Sequence, residues 1–213
     1  MKRTYFLLFI AIIVLIGIFL LQNNKEENIE DLDQDKSNLS DNITLIDFQP
    51  PLVEISKREI KKTFGMYITP QNSPIQPERF TGYHTGVDFE ILPEELNKDV
   101  LVYAICSGEL KIKQFGSGYG DMVVQECELN EKPIIVVYGH LRLSSITNNI
   151  GDNIDIGDNI GLLGDDKSSE TDYERKHLHI SIYNDSKINT RGYISSQEEL
   201  SNWIDPCLYI CHN

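Results

Sequence analysis

The sequence is poor in positive charge. Lys and Arg number 19 against 33 Asp and Glu, a formal net charge of −14 over 213 residues. Such a chain lacks the basic surface that meets phosphates, which excludes general nucleic-acid binding. Cysteine is scarce too, with four in all, none before Cys106 and no C-x-x-C pair. That excludes a disulfide-packed miniprotein and a lipoprotein-type lipidated cysteine, and it argues against a zinc–cysteine site. Long amphipathic helical periods are missing as well, which turns the reading away from an all-helical fold. What remains is 40% hydrophobic and 24% charged, near the globular average. The length allows one core-forming domain plus tails.

The N-terminus sets the expected compartment. Lys2 and Arg3 precede an apolar run over residues 5–21, broken only by Gly17. A membrane helix needs roughly 17–25 apolar residues. Leu20-Leu21-Gln22-Asn23 offers no small-x-small cleavage site, so residues 1–22 read as a cytoplasmic tip and an uncleaved signal anchor. Positive charge stays inside, so the rest of the chain is expected outside the membrane. Residues 23–49 are acidic and almost free of aromatics. They cannot bury enough apolar area to offset ordering entropy and read as a disordered spacer.

Residues 50–213 read as mainly β. Short β-prone runs at 100–105, 108–114, 122–127, 133–139 and 178–183 are separated by glycine-rich turns such as Gly116-Ser117-Gly118-Tyr119-Gly120. Gly151-Asp152-Asn153-Ile154 recurs as Gly157-Asp158-Asn159-Ile160, which predicts consecutive turns of a β-meander. Ser196-Gln197-Glu198-Glu199 has the form of a capping box, which predicts a short C-terminal helix. The expected fold class is an antiparallel β-sheet or sandwich domain with a groove, preceded by one transmembrane helix. Cys106 and Cys127 end two runs that could be neighbours, and Cys207 and Cys211 are four apart. Cys106–Cys127 and Cys207–Cys211 is one of three possible pairings, with buried free thiols as the alternative.

The five histidines carry the chemistry. His177-Leu178-His179 puts two imidazoles on one strand face, because residues two apart point the same way. His84 and Asp88 are four apart and share a face on a strand or a helix. Imidazole plus carboxylate suits zinc, and a catalytic zinc keeps three protein ligands and one open position. Each spacing alone is common by chance; together, with His140 after the run Tyr138-Gly139, they put four of five histidines into one pattern. His212 reads as an exposed non-ligand and Trp203 as a packing anchor.

These residues resemble the lysostaphin/LytM-type zinc endopeptidases that cut peptidoglycan cross-links. The matching pieces are Gly82-Tyr83-His84-Thr85-Gly86-Val87-Asp88-Phe89, Tyr138-Gly139-His140-Leu141, the turn-rich segment 151–164, and His177-Leu178-His179-Ile180, in the family's order. The resemblance covers about residues 64–209. It implies a duplicated hybrid motif fold, one zinc ion per chain held by His84, Asp88 and His179, and a non-ligand catalytic pair His140 and His177. One of that pair takes a proton from the attacking water, and the other stabilises the oxyanion or protonates the leaving amine. The implied partners are peptidoglycan stem or cross-bridge peptides, the membrane through the N-terminal helix, and cell-division or wall-synthesis proteins.

Two stretches depart from the family. Residues 90–99 are longer than usual, and residues 165–176 are charged where relatives carry small residues; both are expected to border the groove. Residues 47–73, lying ahead of His84, could cover it. Rival readings are a non-catalytic scaffold that activates another wall hydrolase, a binding module with structural zinc, and a zinc peptidase acting on proteins.

Overall fold

A computed structural model describes residues 48–212, and most of their regular structure is β. The early strands are β1 (Ile60–Lys62), β2 (Tyr67–Ile68), β3 (Gly82–His84), β4 (Gly86–Glu90) and β5 (Leu101–Tyr103). Three long ones follow: β6 (Gly108–Gly116), β7 (Gly120–Leu129) and β8 (Lys132–Arg142). The remainder are β9 (Asn153–Ile154), β10 (Asn159–Leu163), β11 (His177–Tyr183), β12 (Tyr193–Ile194) and β13 (Trp203–Ile204). The main sheet runs β1-β4-β11-β8-β7-β6-β9, with β10 bridging β5 and β8 and β13 added to β11. A small sheet runs β12-β3-β2. Every ladder is antiparallel, as the short runs and tight turns imply.

Period-two patterning gives the sheet two buried faces. On one face Ile134, Val136 and Tyr138 of β8 join Leu178, Ile180 and Ile182 of β11 and Val87 and Phe89 of β4 in the main core. Burying each such side chain contributes roughly 1.5–3 kcal/mol. On the other face Ile135 and Val137 pack with Tyr119, Met122 and Val124. That second face continues along the sheet into His177, His179, Asp88 and Glu90, because His179 lies opposite both Gly139 and Asp88. The alternation that fills the core therefore aims the polar residues at one patch behind it.

The expectations fare differently. The membrane helix and nearly all of the acidic spacer lie outside the described residues; among those described, no helix is long and apolar enough to cross a membrane. Residues 48–73 do not cover a groove. Phe48 packs on Tyr209 with ring centroids 4.8 Å apart, Leu52 and Ile55 enter the core, and β1 and β2 pair with β4 and β3. The repeated Gly-Asp-Asn-Ile is no meander: β9 pairs with β6, and β10 pairs with β5 and β8. Both repeats instead send an isoleucine, Ile154 and Ile160, into the core. The C-terminal helix shrinks to the 3-10 turn Glu199–Asn202, although Ser196 Oγ does accept from the Glu199 N–H at 3.2 Å. Trp203 ends it by pairing with Tyr183 on β11. Cys106 is bonded to Cys127 and Cys207 to Cys211.

Candidate metal centre

His84 and Asp88 do not share a strand. His84 ends β3 in the small sheet and Asp88 lies in β4 of the main one, so the chain changes sheets at Thr85. Thr85 fixes the crossing: its N–H donates to Gly192 O at 3.0 Å and its hydroxyl to Arg191 O at 2.7 Å. His179 reaches the same point from β11, opposite Asp88. Gly86 permits this approach, since a Cβ there would stand 2.9 Å from the His179 ring.

The three side chains converge. His84 Nε2 lies 3.1 Å from His179 Nδ1 and 3.3 Å from Asp88 Oδ1, and His179 Nδ1 lies 3.0 Å from Asp88 Oδ1. His84 Nδ1 faces the Thr63 carbonyl at 3.3 Å, so the ring donates there and offers its Nε2 lone pair to the cluster. Three acceptor atoms crowded this closely cannot all be satisfied by one shared proton. A tetrahedral zinc bound at about 2.0–2.1 Å needs donor atoms about 3.3 Å apart, close to the spacing present. The donor set, two imidazoles and a carboxylate, is also one that zinc takes. His179 Nε2 is buried without a hydrogen-bond partner, so this ring lacks the outer support that His84 has.

Burial alone would raise the Asp88 carboxyl, but the surrounding His84, His177 and His179 rings outweigh it and hold it well below the usual carboxylate range. Burial pushes His179 down to about 4 against the opposing pull of Asp88. Both groups are therefore in the deprotonated form that a cation requires.

His140 and His177 stand beside this cluster with ring centroids 4.1 Å apart. His140 arrives by a break in alternation. Its φ of +63° turns the backbone left-handed at a bulge in the β7–β8 ladder, so His140 faces the site and Leu141 takes the core position. Its Nδ1 donates to Thr171 O at 3.2 Å, which leaves Nε2 as a free lone pair. Burial, then the neighbouring His177, holds His140 well below the ordinary histidine range. His177 differs: Nδ1 faces Arg175 O at 2.8 Å and Nε2 faces Asp88 Oδ2 at 3.4 Å. Both of its nitrogens meet acceptors, the arrangement of a proton donor. His212 is exposed and takes no part, and Trp203 is buried against Tyr183.

The charged segment before His177 does border the site. Arg175 lines it, pairs with Glu90 through Nε at 2.8 Å and reaches Asp88 Oδ2 at 3.2 Å. Burial disfavours that cation, but Asp88 and Glu90 outweigh burial and keep it protonated. Among the site residues that the sequence reading did not single out are Lys62, Arg175, Tyr193 and Phe80. Arg175 had a signal, an unexpected charge next to His177. The others sit in no motif and are placed only by sheet register and loop packing.

The model of peptidase family M23 matches residues 82–190. Comparison with curated proteins gives no match. Among solved structures, lysostaphin from Staphylococcus simulans is 20% identical with a TM-score of 0.51, covering 78% of this chain and 53% of its own. A zinc-containing peptidase from Vibrio cholerae is also 20% identical, TM-score 0.45, covering 63% of this chain; this chain spans only 36% of that one. A chain of the SpoIIQ–SpoIIIAH pore-forming complex is 19% identical, TM-score 0.49, covering 77% and 90%. At these identities the likeness concerns the fold, while the family model spans both histidine motifs and the sheet that carries them, and the chain belongs to peptidase family M23.

Proposed function

We propose that the chain is a zinc-dependent endopeptidase that hydrolyses peptide cross-links of peptidoglycan. The observation that carries this is the cluster of His84, Asp88 and His179 at tetrahedral-edge spacing, with a second histidine pair, His140 and His177, beside it. Zinc held there supplies Lewis-acid chemistry, lowering the pKa of a water toward about 7 and polarising a carbonyl. His140 Nε2, a free and neutral lone pair, accepts the proton of the attacking water. His177, with acceptors at both nitrogens, donates toward the oxyanion or the leaving amine. Arg175 and Thr63 hold the outer edges of Asp88 and His84. The likeness to lysostaphin, an antimicrobial peptidase, supports a wall substrate. The apolar N-terminal run supports a membrane tether that keeps residues 50–213 outside, at the wall and beside wall-synthesis proteins.

Digestion of purified peptidoglycan by the full chain tests the reading, with zinc, with a chelator, and with His179→Ala, the fragments being identified by mass. Zinc-dependent release of peptide fragments, lost in the variant, is the expected result. His140→Ala should keep one zinc per chain and lose roughly 10²–10⁴ in rate. A full chain that binds zinc and releases no fragment would leave the scaffold reading standing. Proteolysis of intact cells tests the placement: an extracytoplasmic domain is digested from outside.

A further inference from the structure

Lys62 and Tyr193 lie outside the stretch matched by the family model. Register places them nonetheless. The β1-β4-β11-β8 ladders line up Lys62, Asp88, His179 and Gly139 in one cross-strand row. The β12–β3 ladder sets Tyr193 opposite His84. Each is thus the direct cross-strand neighbour of a residue of the metal cluster, and both line the same cavity. His140 follows Gly139, at the far end of the row. Lys62 therefore stands at the opposite end of this row from Gly139, and Tyr193 stands beside His84.

The protons on this pair can be counted. Lys62 is 3% exposed, and its ammonium has three. One serves Glu78 Oε2 at 2.7 Å and one Tyr193 Oη at 3.0 Å. The third has no acceptor among the described residues, and neither does the Tyr193 hydroxyl proton. Glu78 cannot take more: Oε2 also accepts from Ser73 Oγ, and Oε1 accepts the N–H groups of Arg79 and Phe80. The tyrosine is held in place, its ring stacked on Phe80 at 5.1 Å and 5.2 Å from His84. The result is two fixed, adjacent donors, one of them cationic, each with a proton unspent. Both residues line the cavity, so an oxygen bound there would accept the protons that no protein group takes. A charged oxygen gains about twice what a neutral one does.

We propose that Lys62 and Tyr193 together receive a carboxylate of the substrate, so that the preferred peptides carry a free carboxylate beside the bond that is cut. This rests on the peptidase reading above. Lys62 does more than neutralise Glu78, since it also donates to the Tyr193 hydroxyl and lines the cavity.

Ligand-observed NMR on the full chain, with acetyl-alanyl-alanine and its amide as probes, tests the idea with and without zinc. The acid should bind about tenfold more tightly than the amide in both metal states. Tyr193→Phe, which keeps the ring stack, should remove that preference. Lys62→Met combined with Glu78→Gln, which leaves no unpaired buried carboxylate, should do the same. Equal affinities in the parent chain, no detectable binding of the acid at millimolar concentration, or a preference that survives in both variants would overturn the proposal. A preference seen only with zinc would overturn it too, because the carboxylate would then sit on the metal. An inability of the chain to digest peptidoglycan would count against the peptidase reading and leave this binding result readable.

Discussion

At Gly86 a Cβ would stand 2.2 Å from the Ile180 carbonyl oxygen as well as 2.9 Å from the His179 ring. The first neighbour is backbone and cannot step aside without opening the β4–β11 ladder that sets Asp88 against His179. Gly86→Ala should therefore reduce bound zinc from one equivalent to a small fraction, measured by elemental analysis. Gly151→Ala, whose Cβ would meet nothing within 4 Å, should keep its zinc despite a strained φ of +95°. Proton binding gives a second test at this scale. His179 is held down to about 4 by burial, against an unfolded value near ~6.5. Between those limits the unfolded chain binds the extra proton, so stability is full above about pH 6.5 and falls as pH drops toward 4. His179 alone should contribute a loss on the order of 3 kcal/mol in the metal-free chain, and His140, also held down by burial, adds to it as pH falls below the ordinary histidine range, both read from urea midpoints. Asp88, also depressed, adds its loss only below the ordinary carboxylate range. The pairing of His177 with His179 was legible because a strand has period two. His140 was drawn into the pattern by its place after a β-run, but its role was legible only through the family resemblance, since a left-handed bulge overrides that period.

Residues 90–99 and 165–176 are tied to each other, although only the second segment lines the site. Arg142 joins them, donating to Asp99 at 2.9 Å, Asp165 at 2.5 Å and Glu170 at 3.3 Å. Lys176 Nζ adds a bond to Lys98 O at 2.6 Å, and Arg175 pairs with Glu90. Asp99 and Asp165 are largely exposed, so water screens those bonds. Arg142→Ala should therefore cost only about 1 kcal/mol. It should, however, speed amide exchange across residues 165–176 while one zinc per chain remains bound. Slow exchange in that segment after the substitution would show that Thr171 and its bonds to Asp165 and Glu174 hold the segment instead. The expected strands at 108–114, 122–127, 133–139 and 178–183 all fall inside observed ones, because their apolar runs are long enough to declare themselves. The two-residue strands β2, β9, β12 and β13 were not read as strands, since two residues carry no period. Those short strands are what set Tyr193 beside His84 and fasten Trp203 to β11. This is why Tyr193 could not be placed at the site in advance.

On the scale of the whole molecule, the two disulfides act on loops of very different length. Cys106–Cys127 spans 21 residues of sequence and crosses the β6–β7 hairpin, with both sulfurs in the main core. Cys207–Cys211 spans four and closes a single turn. If a cross-link acts mainly by restricting the unfolded chain, the first should contribute about 3 kcal/mol and the second about 2 kcal/mol. Replacing each pair by alanine separates them, with chemical denaturation as the readout. The larger loss is expected from Cys106→Ala with Cys127→Ala, whose removal also leaves a gap between packed strands. Zinc should leave the difference unchanged while moving both midpoints upward, because a ligand bound only by the folded chain raises the stability of both variants by the same concentration-dependent amount. An equal loss from the two pairs would mean that the short C-terminal turn is anchored by more than its own loop. The contact to test next would be the Phe48–Tyr209 stack, which ties that turn to the beginning of the described chain.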